Sequence, residues 1–225
     1  MNVILFGATG MIGQGVLREC LAAADVQRVL TVGRKATGQT HEKLRELVHA
    51  DLADYSAVKT DLAGYDACFF CLGVSSTGMS EAEYRRVTVD IGLAAGRALV
   101  ELNPRMCFIF VSGLGSDATS RTMWARVKGE AENAILGLPF ATVCAFRPAF
   151  VQPGPGIVSR TPMYRALYAV AGPLLPLVKR VAPGYVTTTD RVGRAMLNIA
   201  RRGATKKIYE NADIDAAADE GNSAA

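Results

Sequence analysis

The sequence predicts an α/β protein built on a doubly wound parallel sheet, and three observations lead to this prediction. Short, almost continuously apolar segments recur along the chain, as in strands buried on both faces. Segments with apolar residues at helical spacing separate them. A glycine-rich turn joins the first apolar segment to the first helical one. Because crossovers between parallel strands are right-handed, this alternation favours a sheet with helices on both faces.

Each predicted element is marked by its residue pattern and by a stop signal. The first strand ends at Gly7 and the fourth at Gly73, and Asn103-Pro104 ends the longest helix. The six predicted strands span residues 3–6, 29–32, a short segment ending near 51–52, 67–72, 106–111 and 141–146. The predicted helices span residues 11–24, 42–48 as a short turn, 55–62, 81–102 and 122–136.

A single domain is expected over residues 1–210, because 225 residues suit one α/β domain and half of them are apolar. After Pro153 glycine, proline and apolar residues prevail, which predicts a small C-terminal helical cap over about residues 153–200. Residues 163–181 are apolar with basic ends, a pattern that fits a substrate lid, a homodimer face, a membrane-surface helix or a covered core helix. Residues 211–225 are small and acidic, which predicts a disordered tail.

The charge pattern favours a small-molecule partner over nucleic acid. The formal net charge is +4, and the acidic residues of the tail make the remainder of the chain more basic still. The basic residues are scattered in pairs along the chain rather than clustered, as on solvated helix faces. We therefore expect no nucleic acid partner and a small-molecule substrate, for which a phosphorylated compound would suit the positive charge.

The cysteines and apolar segments predict a cytoplasmic protein without a metal site or membrane span. Cys68 and Cys71 are three apart on a predicted strand, so their thiols should point to opposite faces and share neither a disulfide nor a metal. The apolar start of the chain has no basic leader. The later apolar segment 166–178 is short and interrupted by glycine and proline, whereas a membrane-spanning helix needs about 20 apolar residues.

The strongest local motif is the glycine-rich turn between the first strand and the first helix, Gly-Ala-Thr-Gly-Met-Ile-Gly at residues 7–13. Gly7 permits the sharp turn, Gly10 allows the backbone to approach a pyrophosphate, and Gly13 allows close packing of helix and strand. The amides at the start of the helix then face the phosphate charge. This context predicts a dinucleotide site whose phosphate loop consists of Gly7, Thr9, Gly10, Met11, Ile12 and Gly13.

Two basic residues follow the second predicted strand, where an acidic residue would bind the adenosine ribose of NAD. Arg34 and Lys35 stand there instead. Because a guanidinium binds a phosphate in a bidentate manner, Arg34 favours NADP, through its 2′-phosphate, over NAD. The alternative is that both residues are solvent-facing loop charges.

The phosphate loop, together with Val-Gly-Arg at 32–34 and Ala-Asp-Leu at 50–52, resembles the short-chain dehydrogenase/reductase superfamily. The chain is similar to the atypical, epimerase-like branch of small NAD(P)-binding proteins, including the Tat-interacting-protein type oxidoreductases, over nearly all of residues 2–210. The resemblance implies a Rossmann-type fold. It also implies adenine contacts at Asp51 and Leu52, and adenosine ribose contacts at Cys71, Leu72 and Gly73.

Further site residues follow from the same resemblance. The segment 86–90 corresponds to the helix segment beneath the cofactor, and Ser112 ends the fifth strand, where it would hold a substrate carbonyl. Arg147 and Pro148 correspond to the turn beside the nicotinamide. Lys128 is in register with the family's catalytic lysine, which binds the nicotinamide ribose.

The chain departs from the family at the catalytic tyrosine. The family pattern Tyr-x-x-x-Lys becomes Trp124-Ala-Arg-Val-Lys128. Residues four apart share a helix face, so Trp124 should lie beside Lys128. An indole has an N–H donor but no titratable proton at useful pH, and loss of a general acid costs on the order of 100- to 10,000-fold in rate.

Three explanations of Trp124 remain open. In the first, another group supplies the proton, and the candidates are Ser112, Ser116, Tyr84 and water. In the second, the substrate needs no proton from the protein, as in some flavin or quinone-like reductions. In the third, the protein binds NADP without catalysis. Ser75, Ser76 and Thr77, in the loop after the fourth strand, either touch ligand or only form a turn. The leading expectation is an NADP-dependent oxidoreductase or epimerase-like enzyme acting on a small carbonyl compound. The rival is a catalytically silent NADP-binding sensor or interaction protein.

Overall fold

A computed structural model describes residues 1–157 and 183–220 of the chain. Its main feature is a seven-stranded parallel sheet, flanked by helices on both faces and accompanied by a two-stranded parallel sheet. The strands are β1 Asn2–Phe6, β2 Arg28–Gly33, β3 Leu44–Val48, β4 Ala67–Phe70, β5 Cys107–Val111, β6 Thr142–Arg147, β7 Phe150–Gln152, β8 Val186–Thr188 and β9 Ile208–Glu210. The helices are α1 Met11–Ala22, α2 Glu81–Arg85, α3 Ile91–Leu102, α4 Met123–Leu136, α5 Thr189–Arg202 and α6 Asn211–Asp219.

The central strands are apolar throughout because both faces of the sheet are covered. Along β1 the residues alternate between two cores: Val3 and Leu5 enter the first, and Ile4 and Phe6 enter the second. Helices α1, α5 and α6 contribute to the first core, and α3 and α4 contribute to the second. This arrangement confirms the predicted α/β fold with a doubly wound parallel sheet.

The order of the strands creates a crevice at one edge of the large sheet. The order is β3-β2-β1-β4-β5-β6-β9, so the chain builds outward from β1 in one direction and then from β4 in the other. In open parallel sheets, ligands bind outside the carboxyl ends of the strands where this reversal occurs. The loops that follow β1 and β4 therefore border the expected ligand crevice.

The third strand and the longest helix differ from the sequence prediction. Residues 44–48 form the edge strand β3, although a short helical turn was expected over 42–48. Their mixed polarity follows from exposure, because β3 lies at the edge of the sheet. The predicted helix 81–102 is continuous in direction but contains one π-helical turn over Arg86–Asp90, between α2 and α3.

The expected disordered tail is wrong for residues 211–219, which form α6. Ile214 is fully buried in the first core, although acidic residues surround it in the sequence. Two of these acids, Asp215 and Asp219, bind the guanidinium of Arg191 on α5, each at 2.6 Å. A basic partner distant in the sequence therefore offsets the negative charge on which the expectation of disorder rested. Residues 221–225 lie outside the described part.

Much of the expected C-terminal cap also lies outside the described residues. The apolar segment 163–181 falls within 158–182, and its interpretation as a lid, homodimer face or membrane-surface helix stays a prediction. Of the flanking residues, β7 and β8 pair with each other, and α5 packs on α1. Within residues 1–157 and 183–220, no helix combines the length and hydropathy that crossing a bilayer requires.

Candidate functional site: a dinucleotide cradle beside a lysine

The turn between β1 and α1 is closed by two glycines, Gly7 and Gly13, at which side chains would collide with backbone. Gly7 has a φ of +75°, and a Cβ there would lie 2.6 Å from the carbonyl carbon of Cys71. A Cβ on Gly13 would lie 2.7 Å from the carbonyl carbon of Gly7 and 2.9 Å from the Cα of Ala8. The start of α1 thus packs directly on the end of β1, as the spacing of the glycines predicts.

The amino end of α1 is an open anion-binding site. Gly10 is the N-cap residue and supplies no side-chain cap, and the first turn contains no acidic residue. The first backbone N–H groups of a helix have no partner within the helix, so those of Met11, Ile12 and Gly13 are available to a ligand. Partial positive charge at this end favours an anion, and phosphate is the usual ligand of such a turn.

The adjacent end of β4 forms the wall of this cradle. The Cys71 amide donates to the carbonyl of Phe6 at 3.0 Å, and the backbone of Cys71 and Leu72 lies against Gly7. Gly73 follows in an exposed position. The structure therefore places the predicted ribose contacts next to the phosphate loop. Cys68 enters the second core and Cys71 packs against the first, so their thiols lie on opposite faces of the strand, as predicted.

The predicted adenosine contacts lie at the carboxyl ends of β2 and β3. Arg34 and Lys35 are exposed directly after β2, and among the described residues neither side chain has a hydrogen bond or an ion pair. Leu52 is buried in the second core, while the carboxylate of Asp51 accepts a hydrogen bond from the Ala53 amide at 3.0 Å. A free guanidinium at this edge is accessible to a ligand.

The fifth strand ends in a buried pair of hydroxyl groups. Ser112 Oγ and Ser116 Oγ are 2.8 Å apart, and both residues are buried. Ser116 Oγ donates to the carbonyl of Gly113 at 2.7 Å, so its hydroxyl accepts from Ser112. Ser112 would have to rotate its hydroxyl hydrogen away from Ser116 to donate it to a substrate carbonyl.

Trp124 and Lys128 lie on α4 beside the loop that follows β5, in the relation that their spacing predicts. The indole of Trp124 is 36% exposed, and its Cη2 atom would be 3.6 Å from a Cβ on Gly115. Lys128 is half-buried, and its Cδ atom would be 3.9 Å from a Cβ on Gly113. Both side chains therefore border the same loop, one helical turn apart.

Burial gives Lys128 an unusual acidity for a lysine. Loss of hydration lowers the pKa of its ammonium group to about 8, against a smaller opposing effect of the Glu132 carboxylate. Among the described residues, no hydrogen bond or ion pair to the ammonium is present, because the nearby Glu132 binds Arg147 instead. The ammonium of Lys128 is thus more acidic than that of an exposed lysine.

The guanidinium of Arg147 is bound by two acids. It binds the buried carboxylate of Glu132 through Nε at 3.0 Å and Nη2 at 2.5 Å, and it binds Glu210 at 3.3 Å. These acids hold the side chain, so the guanidinium is not free to contact a nicotinamide. The turn itself does border the site, since the carbonyl of Pro148 accepts a hydrogen bond from the Leu114 amide at 3.1 Å.

Sequence reasoning missed two residues that position the site. A Cβ on Gly129 would lie 2.9 Å from the Cα of Ala118, so this glycine allows the loop after β5 to lie directly on α4. Glu132 is 2% exposed and anchors Arg147. The run Gly-Glu-x-Glu at 129–132 was the signal that could have identified both. In the described part of the chain, no group of three or more His, Cys, Asp or Glu residues is placed to hold a metal.

The open end of α1 suits a pyrophosphate, and the order of the strands reverses beside it. Together these two features are typical of the class of Rossmann-type dinucleotide-binding proteins. Comparison with known families makes the assignment specific. Residues 7–135, more than half of the chain, match the NAD(P)H-binding family, and the chain belongs to that family. The matched segment contains the phosphate loop, the end of β5 and nearly all of α4.

Solved structures share the fold at low sequence identity. The enzyme WbmF of Bordetella bronchiseptica, solved in complex with NAD+, superposes with a TM-score of 0.68 at 17% identity, covering all of this chain and 79% of its own. An oxidoreductase of the short-chain dehydrogenase/reductase family from Burkholderia thailandensis has a TM-score of 0.66 at 20% identity, covering 88% of this chain and 85% of its own. The chain thus has the fold of that superfamily. The narrower resemblance to Tat-interacting-protein type oxidoreductases is not confirmed.

A curated relative corrects the expected location. The protein fmp52, mitochondrial, of Emericella nidulans is 26% identical over 214 residues, covering 92% of this chain and 90% of the relative. Further fungal relatives carry the same mitochondrial designation. These names contradict the expectation of a cytoplasmic protein, which rested on reduced cysteines and an unremarkable start of the chain.

Proposed function

We propose that the protein is an NAD(P)-dependent oxidoreductase that reduces a small carbonyl compound or oxidises the corresponding alcohol. The observation that carries this proposal is the shared position of three features at the carboxyl edge of the sheet: the open end of α1, the hydroxyl pair at the end of β5, and the half-buried ammonium of Lys128. Binding alone would need only the first of these features. The other two supply polar groups where chemistry would take place.

The residues present fit a nicotinamide dinucleotide. Side chains at Gly7 and Gly13 would fill space that the backbone occupies, and the uncapped α1 leaves amides for a pyrophosphate. Cys71, Leu72 and Gly73 would border the adenosine ribose, and Lys128 would hold the nicotinamide ribose. The bound dinucleotide would supply or accept a hydride, and the protein would orient the carbonyl group and manage its proton.

NADP is the better candidate of the two dinucleotides, because Arg34 offers an unpaired guanidinium at the end of β2. Replacement of Arg34 by alanine should weaken NADPH binding by about 10- to 100-fold, the value of a charge-assisted hydrogen bond to phosphate, and leave NADH binding nearly unchanged. Arg45→Ala is the matched control, since Arg45 is an exposed arginine in β3, away from the carboxyl end of that strand.

Titration of each protein with NADPH and with NADH tests the preference. Trp124 is the single tryptophan of the chain and borders the site, so its fluorescence reports occupancy. Saturable quenching by NADPH that Arg34→Ala weakens and Arg45→Ala does not would support NADP. Equal affinity of the wild type for both dinucleotides would contradict the preference while retaining the site.

A catalytically silent NADP-binding sensor is the second candidate, and one observation favours it. Trp124 occupies the position of the proton-donating tyrosine and provides no titratable proton. The silent protein would bind NADPH but fail to oxidise it with any member of a panel of aldehydes, ketones and quinones. Oxidation of NADPH by the wild type that depends on one of these acceptors would exclude it.

A further inference from the structure

The groups around the missing tyrosine differ in whether they can release a proton. Ser112 and Ser116 direct their hydroxyl hydrogens to protein acceptors, and the indole of Trp124 does not titrate. Lys128 carries a titratable proton, and among the described residues its ammonium group has neither a hydrogen bond nor an ion pair. Of these four side chains, Lys128 is therefore the one with a proton available to a ligand.

The charged groups near Lys128 leave its proton available. Glu132, one turn further along α4, is bound by Arg147 from β6, which also binds Glu210 at the end of β9. In the loop after β5, the carboxylate of Asp117 accepts hydrogen bonds from the amide and the hydroxyl of Thr119, each at 2.8 Å. The ion pairs between α4 and α2 are Arg85 with Glu130, and Arg126 with Glu81. Each of these carboxylates thus has a partner other than Lys128.

We propose that Lys128 is the general acid of the reaction and gives the proton from its ammonium group to the carbonyl oxygen of the substrate. This inference rests on the proposed oxidoreductase function. It gives Lys128 a second task in addition to holding the nicotinamide ribose. It also explains how a chain with tryptophan at position 124 retains catalysis.

The proton and electrons balance in this step. The carbonyl carbon accepts a hydride and is reduced, while the dinucleotide is oxidised. As the new C–H bond forms, the π electron pair of the carbonyl moves onto oxygen, which takes a proton from Lys128 Nζ. An N–H bond breaks, an O–H bond forms, and the neutral amine regains a proton from solvent water.

The pH dependence follows from the acidity of the buried ammonium. Its pKa of about 8 lies close to neutral pH, where a general acid is most effective. Below pH 8 the donor is protonated and carbonyl reduction should be independent of pH. Above pH 8 the rate should fall about tenfold per pH unit, because only the ammonium form can donate.

The first test measures the proton on Lys128 without any turnover. The free energy of unfolding is compared between the wild type and Lys128→Met from pH 6 to pH 10.5. Below pH 8 the folded and unfolded chains both carry the proton, so the wild type bears the full cost of a buried ammonium. Above pH 8 the folded chain releases it first, and the stability of the wild type should rise relative to the variant until the unfolded chain titrates near 10.4. A difference that does not change with pH would overturn the inference.

The second test separates proton donation from hydride transfer. Lys128→Arg retains a cation but cannot release a proton at these pH values. With an aldehyde as acceptor, kcat should fall by about 100- to 10,000-fold, the usual value of a general acid. With a quinone, whose reduced oxygen is a phenolate and needs no proton during hydride transfer, kcat should fall by at least about tenfold less than with the aldehyde, because an altered ribose contact would affect both acceptors alike. Calorimetric titration with NADPH establishes that the variant still folds and binds.

The outcomes distinguish the two proposals. A loss of aldehyde reduction in Lys128→Arg at least about tenfold greater than its loss of quinone reduction supports the inference, and equal losses with the two acceptors overturn it. Equal aldehyde reduction by the wild type and the variant, with the same pH profile, overturns the inference while the oxidoreductase function stands. No turnover by the wild type with either acceptor, despite bound NADPH, overturns the oxidoreductase function and the inference with it.

Discussion

Glu132 shows how a single buried charge can determine the geometry of the site. Its carboxylate is 2% exposed and binds Arg147 through two nitrogens. This pair joins α4 to the end of β6, and it occupies the carboxylate that would otherwise pair with Lys128. The unpaired state of the lysine therefore depends on an arginine distant in the sequence.

Replacement of Glu132 by glutamine should destabilise the protein by about 3–5 kcal/mol, because Arg147 would retain a largely buried charge with a weakened partner. Urea unfolding measures this change. Glu81→Gln is the matched control: Glu81 binds Arg126 on the surface, where an ion pair contributes less than about 1 kcal/mol. An equal loss of unfolding free energy in the two variants would show that the buried ion pair contributes no more to stability than the exposed one.

At the scale of elements, α4, which carries Lys128, is in close contact with the loop after β5, which carries Ser116. The Asp117 amide donates to the carbonyl of Ala125 at 3.0 Å, and the backbone of Ala118 lies on Gly129. This contact leaves no room for a side chain. Trp124 covers the other end of the loop at Gly115.

Gly129→Ala should therefore destabilise the protein by about 1–3 kcal/mol, despite the higher helix propensity of alanine, because the loop must move away from α4. Gly137→Ala, at the end of the same helix, is the control. Its nearest neighbour would be 3.4 Å away, so it should be neutral or slightly stabilising. Thermal unfolding compares the two variants, and a stabilised Gly129→Ala would contradict the observed packing.

At the scale of the whole molecule, the predictions that succeeded rest on local patterns. The glycine spacing at 7–13 predicted the phosphate turn, and the four-residue spacing placed Trp124 beside Lys128. The predictions that failed depend on contacts between distant segments. The expected disordered tail was wrong because α6 is stabilised by Arg191 of α5, and the ion pairs of Arg147 with acids at 132 and 210 were not foreseen. No pattern within one segment reveals such partners.

The edge strand β3 shows the same limit. It pairs with β2 on one side only, and its residues are largely exposed or half-buried, so they lack the continuous apolar pattern of the central strands. The strand order, in contrast, follows from the alternation of strands with helices and from the right-handed crossovers between parallel strands. That order brings the turn after β1, the end of β5 and the start of α4 to one crevice, although about 100 residues separate them along the chain.

The central claim is that the open amino end of α1 binds the pyrophosphate of an NAD(P) dinucleotide. Gly10→Asp tests it most directly, because aspartate is a favourable N-cap and the extended backbone at Gly10, with φ −81° and ψ 166°, suits it. The new carboxylate would bind the helix amides and repel phosphate. A Cβ at position 10 would lie 3.2 Å from the carbonyl oxygen of Gly7, so the stability of Gly10→Asp is compared with that of Gly10→Ala, which has the same tight contact. Gly10→Ala adds a methyl group without charge and is the matched control.

Calorimetric titration of the wild type and both variants with NADPH is the decisive measurement. We expect saturable binding to the wild type, a smaller loss of affinity in Gly10→Ala and at least about a 100-fold loss in Gly10→Asp, which should melt no lower than Gly10→Ala. Binding of NADPH to a folded Gly10→Asp variant with wild-type affinity would contradict a pyrophosphate site at the amino end of α1.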